Sequence, residues 1–379
     1  MPEYDIPFNR PGFEGREREY MAAALSAGHI SGNGSFTKRA EAELEEILGA
    51  PRVLLTTSCT DALEMAAILL DVGPGDEVVM PSFTFVSSAN AFALRGARPV
   101  FADIREDTLN LDETCLTAVI GEHTRVIVPV HYGGVGCEMD AILEIAGRAG
   151  ASVVEDNAHG LFGRYCGRTL GTLGRLGTQS FHETKNITCG EGGALVINDE
   201  MLVERAEIIR EKGTNRARFL RGQVDKYTWT DLGSSFLPSD LLAAVLCGQL
   251  EQRESIQARR QAIWERYRGG LAGWAALQGI RLPVVPAERE QTYHLFYLLL
   301  PSEEARDRLI AHLRSRRILA VFHYVPLHLS PMGRRYGGSE GDCPVTERLS
   351  TRLLRLPFYN QLEVSDQNRV IEALLEFDS

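Results

Sequence analysis

Between Pro51 and Asn198 the chain repeats one pattern: a short continuous apolar run, a turn, then a helical stretch. The runs are Val53-Leu54-Leu55, Glu77-Val78-Val79-Met80, Pro99-Val100-Phe101, residues 125–130, Ser152-Val153-Val154 and residues 193–197. Helical patterns fall at 62–70, at 87–94 and from Met139 onward. Strands that are apolar without alternation must be covered on both faces. A mostly parallel sheet between crossover helices is therefore expected.

The flanks are different. An amphipathic helix at 40–48 precedes the pattern. After it come an interrupted helical stretch at 241–271, a strand at 293–300, a helix at 302–315, a strand at 320–324 and a last helix near 367–377. That order predicts a smaller α/β unit. A chain of 379 residues suits two domains, and the division read here is 1–250 and 251–379.

Composition narrows the function. Lys and Arg number 40 against 51 Asp and Glu, a net charge of −11. That argues against nucleic acid, whose phosphates want a basic face. An anionic small molecule stays possible, because a local pocket can oppose the global sign. No run of 18 apolar residues exists, so no membrane span is expected. The start, Met1-Pro2-Glu3-Tyr4-Asp5, lacks the basic and apolar segments of a secretion signal. Cys59, Cys115, Cys137, Cys166, Cys189, Cys247 and Cys343 form no CxxC pair, so neither a disulfide framework nor a zinc site is expected. A reducing, cytoplasmic setting fits. The 36 glycines are scattered singly or in pairs, as turns within a fold.

In doubly wound sheets ligands bind beyond the carboxyl ends of the strands. Four loops stand there. Thr57-Ser58-Cys59-Thr60-Asp61 puts small hydroxyl residues at a helix start, a good phosphate cradle; an ordinary N-cap explains it at least as well. Glu155-Asp156-Asn157-Ala158-His159-Gly160 offers acids that could grip a cationic nitrogen, a metal or a ribose, or simply cap a turn. Ser180-Phe181-His182-Glu183-Thr184-Lys185-Asn186, followed by Gly190-Glu191-Gly192-Gly193, holds a lysine that could be a Schiff-base nucleophile if its pKa is depressed. A lone lysine is more commonly a solvated one. Phe322-His323-Tyr324-Val325-Pro326-Leu327-His328 could line a cleft or end a strand. No HxxxH or HExxH spacing occurs, so His159 and His182 are not read as metal ligands and no metal is expected.

Taken together and in order, these loops resemble the DegT/DnrJ/EryC1/StrS family of sugar aminotransferases that depend on pyridoxal phosphate. Further anchors are Gly73-Pro74-Gly75-Asp76-Glu77-Val78 and Pro81-Ser82-Phe83-Thr84-Phe85, with an Asp 29 residues before the Lys. The resemblance runs from about Ile6 to the C-terminus. It implies fold type I: a large domain with a seven-stranded, mostly parallel sheet between helices, and a smaller C-terminal α/β domain. It also implies roles. Lys185 matches the Schiff-base lysine and Asp156 the carboxylate that pairs with the pyridine nitrogen. Cys59, Thr60 and Ser180 match the phosphate cradle, Phe85 the ring that stacks on the cofactor, and His159 a position beside it.

Further implications concern partners. The family is usually a homodimer with shared active sites. Ser235 stands where many members carry an Asn that reaches the neighbour's phosphate. His323, Tyr324 and His328 sit where members contact the sugar or close the site. Residues 205–216, 221–229 and 322–328 look like the members that aminate a TDP-linked 4-keto-6-deoxyhexose, with L-glutamate as donor. Amination at C3 of a related keto sugar is the alternative. A dehydratase on this scaffold replaces the lysine with His, and Lys185 argues against it. A non-catalytic sensing protein is disfavoured by the intact set Asp156, Ser180 and Lys185.

Overall fold

The computed structural model describes residues 4–378; Met1, Pro2 and Glu3 of the chain start, and Ser379, lie outside the described residues. Twelve strands occur among them, in chain order β1 Arg52–Thr56, β2 Glu77–Pro81, β3 Arg98–Ala102, β4 Thr124–Ile127, β5 Ser152–Asp156, β6 Arg164–Tyr165, β7 Arg168–Thr169, β8 Leu176–Ser180, β9 Gly193–Ile197, β10 Arg289–Glu290, β11 Tyr297–Leu299 and β12 Leu353–Arg355. Seven form one sheet in the order β1-β9-β8-β5-β4-β2-β3. Every pairing is parallel except those of β9, which runs against both β1 and β8. This is an α/β fold with a large, mostly parallel sheet, as expected.

The continuous apolar runs are explained by burial on two sides. Alternate residues feed opposite faces of the pleat. Leu54, Val78, Met80, Val126 and Val154 join the core under helix Cys59–Leu69. Their neighbours Val53 and Leu55 meet helices Glu17–Ser26, Ser35–Leu48 and Asp240–Glu251, and Val79, Ile127 and Val153 meet helix Met139–Ala149. With both faces closed, the open ends of the sheet are where a ligand can enter.

A separate core gathers Trp264, Tyr267 and Leu271 of helix Arg253–Leu277, Leu309 and Leu313 of helix Glu303–Ser315, and Val370 and Leu374 of helix Val364–Leu375 around Leu298 and Leu354. Ile6, from the chain start, packs into this core and bridges to Ile318. The expected strand–helix–strand unit at 293–324 is not formed. β11 pairs antiparallel with β12, a strand the sequence reading lacked. Residues 320–324 contribute a single bridge, Val321 to Arg355, and Pro326, without an N–H, follows closely. The interrupted stretch at 241–271 is two helices that break at Gln252. Among the described residues no helix is long and apolar enough to cross a membrane.

Candidate active site

The carboxyl ends of β1, β2, β5 and β8 open on one cleft of about 800 Å³. Ser58, Cys59 and Thr60 line it after β1, Thr84 and Phe85 after β2, Asp156, Ala158 and His159 after β5, and Ser180 and Lys185 after β8. Strand order explains the meeting: β1, β8 and β5 are near neighbours in the sheet, although β1 ends at Thr56 and β5 begins only at Ser152.

At the first loop Ser58 caps helix Cys59–Leu69, its Oγ accepting from Asp61 N at 3.0 Å. The leading N–H groups of a helix lack partners within it, and they point at the cleft end. The Thr60 hydroxyl lies 2.7 Å from that of Ser87. The turn is pressed against the sheet at Gly193, the first residue of β9. A Cβ there would stand 2.3 Å from Ser58 C and 2.4 Å from Cys59 N. Burial pushes the Cys59 thiol up to about 12, so it stays protonated.

Asp156 ends β5 and is 5% exposed. Ser88 Oγ donates to its Oδ2 at 2.7 Å and Ala158 N to its Oδ1 at 3.2 Å. Thr84 Oγ1 lies 2.8 Å from the Ser88 hydroxyl. Each carboxylate oxygen is thus oriented and keeps a lone pair for a further donor. Lys185 follows in the loop after β8. Desolvation is the largest influence on its ammonium and pushes it down to about 8, with Asp156 acting the other way. The chain has three other lysines, Lys38, Lys212 and Lys226, and all are exposed.

The histidines form a neutral wall. The rings of His159 and His294 stack with centroids 4.2 Å apart, and His159 lies 6.2 Å from His323. Burial pushes all three well below the ordinary imidazole value. Gly133 N donates to His159 Nδ1 at 3.3 Å, so that ring carries its proton on Nε2. Tyr132 and His323 are linked at 3.0 Å, and the Tyr324 ring packs on His323. His182 lines the rim, its Nδ1 2.9 Å from the Thr184 hydroxyl.

Phe85 is no core residue: it is 56% exposed at the cleft mouth, 6.4 Å from the Tyr324 ring, while Phe83 is buried. Ser235 is exposed and stands outside this cleft. His328 corrects an expectation. It does not reach the cleft: its ring is buried, with Nδ1 2.6 Å from Ser82 Oγ and Nε2 2.9 Å from Glu347 Oε1. The turn at Leu327–Leu329 sends it away from His323 and Tyr324. Among the cleft residues that escaped the sequence reading are Phe8, Asn9, Ser87, His294 and Arg355. The run Arg355-Leu356-Pro357 after an apolar pair was the only signal for Arg355; nothing local marks the others.

The chain matches the DegT/DnrJ/EryC1/StrS aminotransferase family over residues 13–375. It is 33% identical over 377 residues to the spore coat polysaccharide biosynthesis protein SpsC of Bacillus subtilis (strain 168), covering 97% of this chain and 96% of that one. It is similar to S. venezuelae DesV, solved in complex with a ketimine intermediate, at 34% identity and a TM-score of 0.89 over 98% of each chain. It is also similar to the PLP form of Spr1654 from Streptococcus pneumoniae, at 27% identity and a TM-score of 0.90 over 98% of each chain.

Proposed function

Because the chain belongs to the DegT/DnrJ/EryC1/StrS aminotransferase family, we propose that it transfers the amino group of L-glutamate to C4 of a TDP-linked 4-keto-6-deoxyhexose. The products are a TDP-4-amino-4,6-dideoxyhexose and 2-oxoglutarate. The family's cofactor is pyridoxal 5′-phosphate, and the cleft fits it. Gly193 leaves room for the Ser58–Cys59 turn to come in close, which a Cβ would fill. Helix N–H groups, Thr60 and Ser180 suit its phosphate, Asp156 its pyridine nitrogen and Lys185 its aldehyde. Phe85 supplies a flat face at the mouth and His159 a second ring beside it.

Bound there, the cofactor supplies the electron sink that makes the donor α-carbon acidic. The chain does the rest. Asp156, fixed by Ser88 and the Ala158 N–H, holds a proton on the ring nitrogen and keeps the sink charged. Lys185 Nζ, partly neutral near pH 8, takes the proton from the α-carbon of glutamate and later delivers one to C4 of the sugar. Ser235 is assigned to the neighbouring copy's site in a homodimer, and His323 and Tyr324 to the sugar. We read residues 1–250 as the cofactor domain, 251–379 as the smaller one, and the setting as cytoplasmic.

One observation carries this reading: an oriented, buried carboxylate and the only unexposed lysine of the chain open on one cleft beside a hydroxyl-lined helix start. The test is incubation of the enzyme with TDP-4-keto-6-deoxyglucose and L-glutamate, with the product solved by NMR. A C4 amine formed with ping-pong kinetics is expected. An amine at C3, or loss of oxygen without amination, would overturn it.

A further inference from the structure

The cleft holds a cation that the transfer chemistry above does not use. Arg355, the last residue of β12, lines it. Its backbone is fixed by Val321 through N–H···O contacts of 2.7 and 3.1 Å. Nη2 donates to Phe322 O at 3.0 Å, and the guanidinium lies over the Phe8 ring at 4.7 Å. Nε is sealed from solvent and has no hydrogen-bond partner among the described residues. Among the described residues no carboxylate neutralises the group. Burial is the largest influence on it and lowers its pKa, and only the Tyr132 and Tyr324 hydroxyls act the other way.

Its charge is felt by the reacting group. Arg355 depresses the ammonium of Lys185, and it helps keep His159, His294 and His323 neutral. The cleft's two carboxylates do not serve it: Asp156 is engaged by Ser88 and Ala158, and Glu191 is exposed at the rim. A buried guanidinium with an idle N–H is costly to leave unpaired. The same group is well matched to a planar anion that it can grip with two N–H groups.

We propose that Arg355 is the carboxylate-binding residue for the amino donor. This rests on the aminotransferase reading above and adds how the donor is chosen. The donor's α-carbon must sit at Lys185, so its carboxylates fall on the wall that the Arg355 guanidinium lines. The cleft then selects an amino acid over a neutral amine by pairing its one uncompensated guanidinium. The sugar nucleotide, whose anionic groups are phosphates, takes no part in this contact.

The test uses the cofactor-loaded enzyme and its Arg355→Gln and Arg355→Lys variants, each checked by thermal melting. The two half-reactions are followed separately by cofactor absorbance, one with L-glutamate alone and one with the keto-sugar nucleotide alone. Losing a charged, bidentate contact predicts a half-saturation for L-glutamate raised roughly ten- to hundredfold in Arg355→Gln. Arg355→Lys recovers part of it, and the half-saturation for the keto-sugar nucleotide moves less than about threefold in both variants. A glutamate arm within about twofold of the parent, or a loss confined to the sugar arm, overturns the proposal. Calorimetry with glutarate, an unreactive dicarboxylate, separates the two readings. If the parent enzyme does not react with L-glutamate, the transfer chemistry fails. Glutarate binding lost in the variants still supports the carboxylate site, and equal binding in all three sinks it.

Discussion

Gly193→Ala tests how the phosphate cradle is built. The added Cβ would stand 2.3 Å from Ser58 C, 2.4 Å from Cys59 N and 2.5 Å from Ser58 O. These are backbone atoms and cannot rotate aside. Gly193 itself is held on both edges, opposite Thr56 in β1 and Ser180 in β8. Relief must come from the Ser58–Cys59 turn, which has to retreat by about 1 Å to reach an ordinary contact. Overpacking of this kind costs about 1–3 kcal/mol, a fall of a few degrees in melting temperature for a chain this long. A shift of 1 Å also breaks hydrogen bonds from the helix start to a phosphate. One charge-assisted bond is worth roughly 1.5–3 kcal/mol, so the cofactor dissociation constant should rise about 10- to 100-fold. The assay is titration of cofactor-free protein with pyridoxal phosphate, followed by absorbance. Gly147→Ala is the control: it lies inside helix Met139–Ala149 with open space around its Cβ position, and cofactor binding should not change. A Gly193→Ala protein that binds the cofactor within about twofold of the parent would refute the cradle.

Two further outcomes follow from the geometry. Without cofactor, the Lys185 ammonium loses its proton around pH 8, below the ordinary lysine value. Its modification by an amine-reactive reagent should therefore level off above about pH 8, as mass spectrometry of the Lys185 peptide can show. A rate that keeps rising well above pH 8 would contradict the desolvated site. His328→Ala removes the bridge between Ser82 and Glu347 and leaves the buried Ser82 hydroxyl with only the backbone N–H of residue 328 as a partner. It should lower unfolding free energy by about 1–3 kcal/mol with cofactor affinity unchanged. A stable variant that binds the cofactor weakly would return His328 to the cleft.

The parallel core was readable because β2, β4 and β5 are apolar on both faces. β8 was not, although all five of its residues are buried. Its sequence, Leu-Gly-Thr-Gln-Ser, serves close approach and hydrogen bonding. A Cβ on Gly177 would meet Gly171 O at 2.1 Å, and Gln179 Oε1 accepts from Asn157 at 3.2 Å. Such a strand carries no hydrophobic period to detect. The loops after β1, β5 and β8 announced themselves through residue chemistry, and all three reach the cleft. Arg355 was hidden because β12 is three residues long and meets the cleft only through tertiary packing. His328 was grouped with His323 and Tyr324 by nearness in sequence. The turn after Pro326 separates them, a change of direction that side-chain chemistry does not report.

The central claim is that Lys185 is the residue to which the cofactor is joined. The chain's four lysines make this directly measurable. Cofactor-loaded enzyme is reduced with borohydride, digested, and its peptides are weighed. The account predicts one pyridoxyl group, on the peptide containing Lys185, and none on that peptide's Lys185→Ala counterpart. Label on Lys38, Lys212 or Lys226, with the Lys185 peptide unmodified, would contradict it.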